Sequence, residues 1–157
     1  MTMASKIRNH LDRRGVRYDV EHHPHTWNSM HTAQEAHVSG EHLAKGVLFK
    51  DDSGYVLAVV PATHYVRVNH LDSELGRDLN MAMEDDLEDV FSDCERGAVP
   101  ALGAAYDLDT VVDMSLCGLR DIYFEAGDHE ELIHLAGEDF EELMEDARFM
   151  KCSKHRM

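Results

Sequence analysis

No stretch of the 157 residues approaches the roughly 18 consecutive apolar positions that a membrane-spanning helix needs, so a bilayer-embedded protein is not expected. The opening MTMASKIRNHLDRRG has basic residues but no apolar segment behind them, which gives no support to a secretory signal. Cysteine is scarce. Cys94, Cys117 and Cys152 are widely separated and make neither an even disulfide framework nor a CxxC pair, as expected of plain thiols in a reducing cytosol. There is no internal repeat and no low-complexity linker. The length suits one hydrophobic core, and two independent domains would each be small, so a single domain over residues 1–157 is expected.

Positive charge is also in short supply, with 15 Lys and Arg against 31 Asp and Glu. The imbalance is uneven. Residues 1–50 carry a net +2, residues 51–147 a net −22, and the last ten a net +4. A body this acidic repels a long polyanion, which disfavours extended tracking along duplex DNA and restricts any nucleic-acid contact to something small and local. Solubility, or adaptation to a salty cell interior, accounts for the charge equally well.

The familiar catalytic signatures are missing too. No GxGxxG follows a strand, Lys45 follows Ala44 rather than the glycine of a Walker loop, and there is no nucleophile elbow. His129-Glu130 followed by His134 imitates a zinc-protease motif, but the histidines are five apart rather than four. Five residues turn a helix through about 500°, so the two rings cannot share a metal locally. His22, His23, His25 and His31 offer imidazoles without a fixed element to hold three around one ion, and a solvated loop is expected there.

What remains reads as interleaved helices and strands. Ser5 is positioned to cap a helix through Ile7 and Leu11 that Gly15 stops, and Val16, Tyr18 and Val20 alternate as a half-buried strand. Thr32 and Glu35 make a capping-box signature, and a helical turn is expected over 42–44. Val47–Phe49 and Tyr55–Val60 flank the polar turn 51–54 as a hairpin whose second strand is buried. Residues 69–75 read as a helical turn stopped by Gly76. Leu87, Val90 and Phe91 fall on one face of an acidic helix, and 92–105 is a loop. Strands are expected at 110–112, 122–124 and 132–135, before an amphipathic helix carrying Phe140, Leu143, Met144 and Ala147. There is no clean βαβ repeat and the hairpin demands antiparallel pairing, so the expected fold is α/β with a mixed sheet.

Three features could carry chemistry. Lys45 is expected where a helical turn hands over to a buried strand, a junction from which a lysine can reach a cleft. Gly97-Ala98-Val99-Pro100-Ala101-Leu102-Gly103 is a stiff loop bounded by glycines, whose backbone can hold an amino group or a developing oxyanion. Gly127-Asp128-His129 is a polar turn between apolar strands, able to bring an imidazole to a ribose hydroxyl or a water. Each has an ordinary structural alternative: a surface lysine, a loop covering one end of the sheet, a turn histidine.

Taken in order, the segments MHTAQEAH, HLAKGVLFKDDSGYVLAVVPA, CERGAVPALG, TVVDMSL and IYFEAGDHEELIHL resemble the YbaK/prolyl-tRNA synthetase associated family, over about Val16 to Glu142. The resemblance implies a YbaK-like mixed, barrel-like sheet of about six or seven strands flanked by helices. It also implies trans-acting editing in the cytoplasm: hydrolysis of the ester of a tRNA mischarged with a small amino acid such as alanine, as on tRNA for proline. Lys45 and His129 are then the expected catalytic residues. Thr32, Gly97, Ala98, Val99, Pro100, Gly103, Gly127 and Asp128 are the expected substrate-binding ones, and no metal or cofactor is expected. Ala101-Leu102 stand where many members carry a proline and an aromatic, which bears on the pocket's size. The expected partner is the acceptor end of aminoacyl-tRNA, with a synthetase as a further candidate and neither DNA nor membrane. The alternatives are a catalytically inactive adaptor of the same fold, or a histidine-rich metal buffer.

Overall fold

The computed structural model describes residues 3–26 and 28–156. Helix α1 (Ser5–Arg14) ends at Gly15 in the left-handed conformation, as its sequence implies. Its start differs from expectation. Ala4 occupies the cap position without a side-chain bond, and the carboxylate of Asp93, distant in sequence, accepts from the amide of Lys6 at 2.9 Å. Strand β1 (Asp19–His22) precedes helix α2 (Ser29–Glu35), which is capped by Asn28 accepting from the His31 amide at 2.8 Å. Thr32 is therefore inside this helix rather than at its cap.

Strands β2 (Leu43–Asp51) and β3 (Gly54–Pro61) form the expected hairpin, although β2 begins at Leu43, where a helical turn was expected. Lys45 lies within this strand rather than at a helix-to-strand junction. Strand β4 (His64–Val66) leads into helix α3 (Val68–Leu75), followed by strand β5 (Asn80–Met81) and helix α4 (Glu84–Val90). A turn of 3-10 helix covers Gly103–Tyr106, and another, Met114–Leu116, follows strand β6 (Asp109–Asp113). Strands β7 (Asp121–Glu125) and β8 (Glu131–Ala136) precede helix α5 (Gly137–Leu143). Two short strands, β9 (Arg148–Met150) and β10 (Ser153–His155), complete the series.

The main sheet has eight strands, in the order β1-β8-β7-β2-β3-β6-β9 with β5 added beside β2; β10 and β4 make a separate antiparallel ribbon. Pairing is parallel at β2–β7, β3–β6 and β6–β9 and antiparallel elsewhere, a mixed sheet as expected. The path does not close: β1 and β9 stand at opposite ends of it, so the barrel-like expectation is replaced by an open sheet. The strand total also exceeds expectation because β4, β5, β9 and β10 have two or three residues each, too few to show a period in sequence.

Apolar cores lie on both faces. Leu57 and Val59 of β3 point into the core that holds Ile7, Leu11, Phe124 and Phe140, while Val56, Ala58 and Val60 point into the one that holds Phe49, Leu71 and Val111. A strand covered on both sides needs no polar alternation, which is why 56–60 is uniformly apolar. No helix among the described residues is long and apolar enough to cross a membrane.

The buried Asp113 ties the end of β6 to β10. Its Oδ1 accepts from the amides of Cys152 and Ser153 at 2.8 and 3.0 Å, and its Oδ2 accepts from the amide and hydroxyl of Ser115. Burial pushes this carboxyl up, but the hydrogen bonds outweigh it and hold it below the usual carboxylate range. A carboxyl lowered in the folded state stabilises fully above its unfolded value, and the contribution is lost as pH falls through the folded one. Asp113→Ala should cost about 2–4 kcal/mol in urea unfolding at pH 7, and the difference from wild type should shrink below about pH 4.

Candidate functional site

A cavity of about 110 Å³ opens beside β2, lined by Asn28, Ser29, Thr32, Ala44, Lys45, Gly46, Gly97, Ala98, Val99, Glu125 and His129. It brings together six of the sequence-predicted residues: Thr32, Lys45, Gly97, Ala98, Val99 and His129. The others stand behind it. Pro100 presents its carbonyl to Gly46. Gly103 is buried in its 3-10 turn, where a Cβ would collide with Thr110, and Gly127 is pressed against Ala4 and Cys94. Asp128 is buried within its own turn, its Oδ1 accepting from the amides of Glu130 and Glu131 at 3.0 and 2.8 Å.

Strand β2 holds Lys45 half-buried, its ammonium donating to the Ala62 carbonyl at 3.3 Å. Among the described residues no carboxylate is within ion-pair distance of it. Burial, reinforced by the charge of Arg156, draws its pKa below the ordinary lysine value. The next residue, Gly46, is the device that admits the loop. A Cβ there would stand 2.9 Å from the Pro100 carbonyl oxygen and 3.1 Å from a Val99 methyl, so only glycine lets residues 97–100 lie against the strand beside Lys45. Sequence reasoning passed over Gly46, because a strand glycine is silent about what approaches it.

The turn 127–130 is where the walls of the cavity meet. The Gly127 carbonyl accepts from the Glu95 amide at 2.7 Å, the His129 carbonyl from Thr26 at 3.2 Å, and the Glu130 carbonyl from His23 at 2.8 Å. His129 adopts φ 61°, in the left-handed region, and its Nε2 donates to the Arg96 carbonyl at 2.9 Å. Its imidazole thus latches the residue before Gly97, which itself has φ 82°. The His25 ring lies 5.2 Å away, with its Nε2 3.1 Å from Glu95.

Glu125, at the end of β7, is the functional candidate that sequence reasoning missed. Its Oε1 accepts from the Thr32 hydroxyl at 2.8 Å and its Oε2 lies 3.8 Å from Nε2 of His23. The His23 side chain is fully buried, contrary to the solvated loop expected for this histidine-rich stretch. Burial pulls the imidazole down, but Glu125, the Pro24 carbonyl and Asp128 outweigh it and raise it above the ordinary value. The signal for Glu125 was its place two residues before Gly127, on a strand whose alternation turns it toward Thr32.

The pattern of the aminoacyl-tRNA editing domain matches residues 23–143, a span that includes every wall of this cavity. The chain belongs to that family. The editing domain is similar in fold to a candidate trans-editing enzyme for prolyl tRNA synthetase, with a TM-score of 0.83 and 19% identity over 96% of each chain. It is equally similar to the hypothetical protein APE2540, with a TM-score of 0.83 and 18% identity over 96% of this chain and 100% of that one. A signal transduction candidate from Marinobacter aquaeolei contains the same fold in 31% of its length, with a TM-score of 0.76 and 22% identity over 97% of this chain. Among curated proteins none matches the chain significantly. The family and the YbaK-like mixed fold are thus as the sequence implied.

Two substitutions test the geometry without any substrate. Gly46→Ala should cost about 1–3 kcal/mol in urea unfolding, because a backbone carbonyl rather than a flexible side chain must give way. Lys45→Met should leave stability unchanged or raise it by about 0.5–2 kcal/mol in thermal unfolding at pH 7, since it removes a half-buried charge that has no counter-ion among the described residues. A loss beyond 1 kcal/mol would mark Lys45 as a structural residue.

Proposed function

We propose that this editing domain hydrolyses the ester of mischarged aminoacyl-tRNA, acting in trans in the cytoplasm on small aminoacyl groups such as alanine, with tRNA for proline as the first carrier to try. The carrying observation is that Lys45 and Glu125 place opposite charges in one small cavity and are not paired to each other. An aminoacyl ester has the matching layout, an α-ammonium at one end and a carbonyl that becomes an oxyanion beside the terminal ribose at the other.

An ester is already activated, so the reaction needs a placed water, stabilisation of the tetrahedral oxyanion and a proton relay, but no protein nucleophile. In this reading Lys45, as a cation, stabilises the oxyanion or contacts the terminal adenosine. Glu125 receives the α-ammonium, and the backbone of residues 97–99 encloses the aminoacyl group. The vicinal ribose hydroxyl helps to position water. His129 acts as a positioning residue through its bond to Arg96, and Thr32 orients Glu125. Ala44, Gly46 and Ala98 make a floor of small residues, and a confined volume selects by excluding larger side chains.

Purified protein incubated with a panel of mischarged tRNAs should release small amino acids fastest, and Lys45→Ala should lower the rate about 10²–10³-fold. Blocking the α-amino group by acetylation should slow the wild type and make little difference to Glu125→Gln. With Lys45 required as a cation, the enzymatic rate above the spontaneous background should fall as pH rises through its lowered pKa. No turnover across the panel would favour the adaptor reading. Turnover indifferent to Lys45→Ala would overturn the assigned site.

A further inference from the structure

The ribbon of β4 and β10 begins just beyond Ala62, whose carbonyl holds Lys45, and the ladder continues one residue past β10. Lys45 donates to the carbonyl of Ala62, and the amide of Arg156 donates to the carbonyl of the next residue, Thr63, at 2.8 Å. The Lys45 ammonium and the Arg156 backbone amide are thus held on successive carbonyls of one segment. Lys154 is the cross-strand partner of Tyr65, and alternation places Arg156 on the same face as Lys154, about 7 Å further along. Both basic side chains are exposed, and Tyr65 is 42% exposed.

The opposite face of β10 is the anchored one. Glu41 lies 2.8 Å from Nε2 of His155 and 3.6 Å from Nε2 of His64, and Ser153 bonds His64 at 2.8 Å. That clasp holds the strand and leaves the Lys154 face to solvent.

Of the 15 Lys and Arg residues, five, Arg14, Lys50, Arg77, Arg96 and Arg148, have carboxylate partners. Lys45, Lys154 and Arg156 belong to the ten that have none within 4.0 Å among the described residues. Lys45 lines the cavity, the charge of Arg156 reaches Lys45, and Lys154 follows on the same face of β10, so these cations form a local anion site to which the surrounding negative field confines a polyanion. An exposed ring among them suits the face of an unpaired base.

We propose that Lys154, Arg156 and Tyr65 form a docking rim for the single-stranded 3′ end of the acceptor strand, Lys154 and Arg156 taking successive phosphates and Tyr65 stacking on a base, so that the terminal ester reaches Lys45. This rests on the proposed tRNA substrate and adds where and how that substrate is held.

The test is binding, measured apart from hydrolysis. A 5′-fluorescein-labelled acceptor-stem hairpin ending in single-stranded CCA is titrated by anisotropy at 50 and 200 mM salt, alongside the same hairpin lacking the CCA. The wild type should prefer the CCA form. Lys154→Gln/Arg156→Gln should weaken its binding about tenfold at 50 mM and flatten the log–log salt dependence by about 1.5. Arg156→Gln alone should give about half of that flattening, and Tyr65→Ala should weaken binding with the salt slope unchanged. Wild-type affinity and slope in the double variant, or indifference to the CCA end, overturns the rim. Rim-dependent binding with no turnover on any mischarged tRNA supports the rim and overturns the deacylase reading. Turnover with rim-independent binding does the reverse.

Discussion

A half-buried ammonium group, with no counter-ion among the described residues, is the constraint around which this site is built. Among the described residues Lys45 has a carbonyl to bond and a cationic neighbour but no carboxylate, so the fold tolerates rather than benefits from its charge. The tolerance comes from β2, which pairs with β3 along its whole length and with β7 and β5 at either end, so that the strand cannot shift to release the side chain. An anion, or a carbonyl becoming one, relieves that cost. This makes the position suited to binding developing negative charge rather than to stability.

The facing wall is held by backbone rather than by catalytic side chains. The turn 127–130 accepts amide protons from both the 23–26 segment and the 95–97 loop, and the His129 ring reaches across to Arg96. These bonds hold the loop, and Gly46 lets it come close. Three stretches distant in sequence thus converge within one small volume, with a cation from one, an anion from another and peptide groups from a third. Cys94 and Cys152, pushed up to about 12 by burial, are kept as thiols and take no part in this chemistry.

The order of segments carried the family and the mixed sheet, and the continuous apolar run of β3 marked it as central. Lys45 and the 97–100 loop were legible because a lysine leading into a buried strand and a glycine-proline loop are unusual locally. Glu125 was not, since a carboxylate among 31 acidic residues gives no local signal. The solvated reading of His23 failed because the stretch carries no period, and what buries it is its pairing with the 127–130 turn. Capping at Thr32 failed for a related reason: Asn28 is the stronger cap and starts the helix earlier, which frees the Thr32 hydroxyl to bond Glu125.

By itself the sequence determined what depends on neighbours in the chain: the hairpin and its turn, the stop of α1 at Gly15, the strand buried on both faces, and the absence of any local metal motif. Tertiary structure alone decided that the sheet stays open and that Gly46 is a point of close approach. It also decided that Glu125 faces the cavity of Lys45, and that Lys154 pairs with Tyr65 of β4. Propensity and period act over a few residues, whereas an unpaired charge or a missing Cβ acquires meaning only from what the fold brings against it.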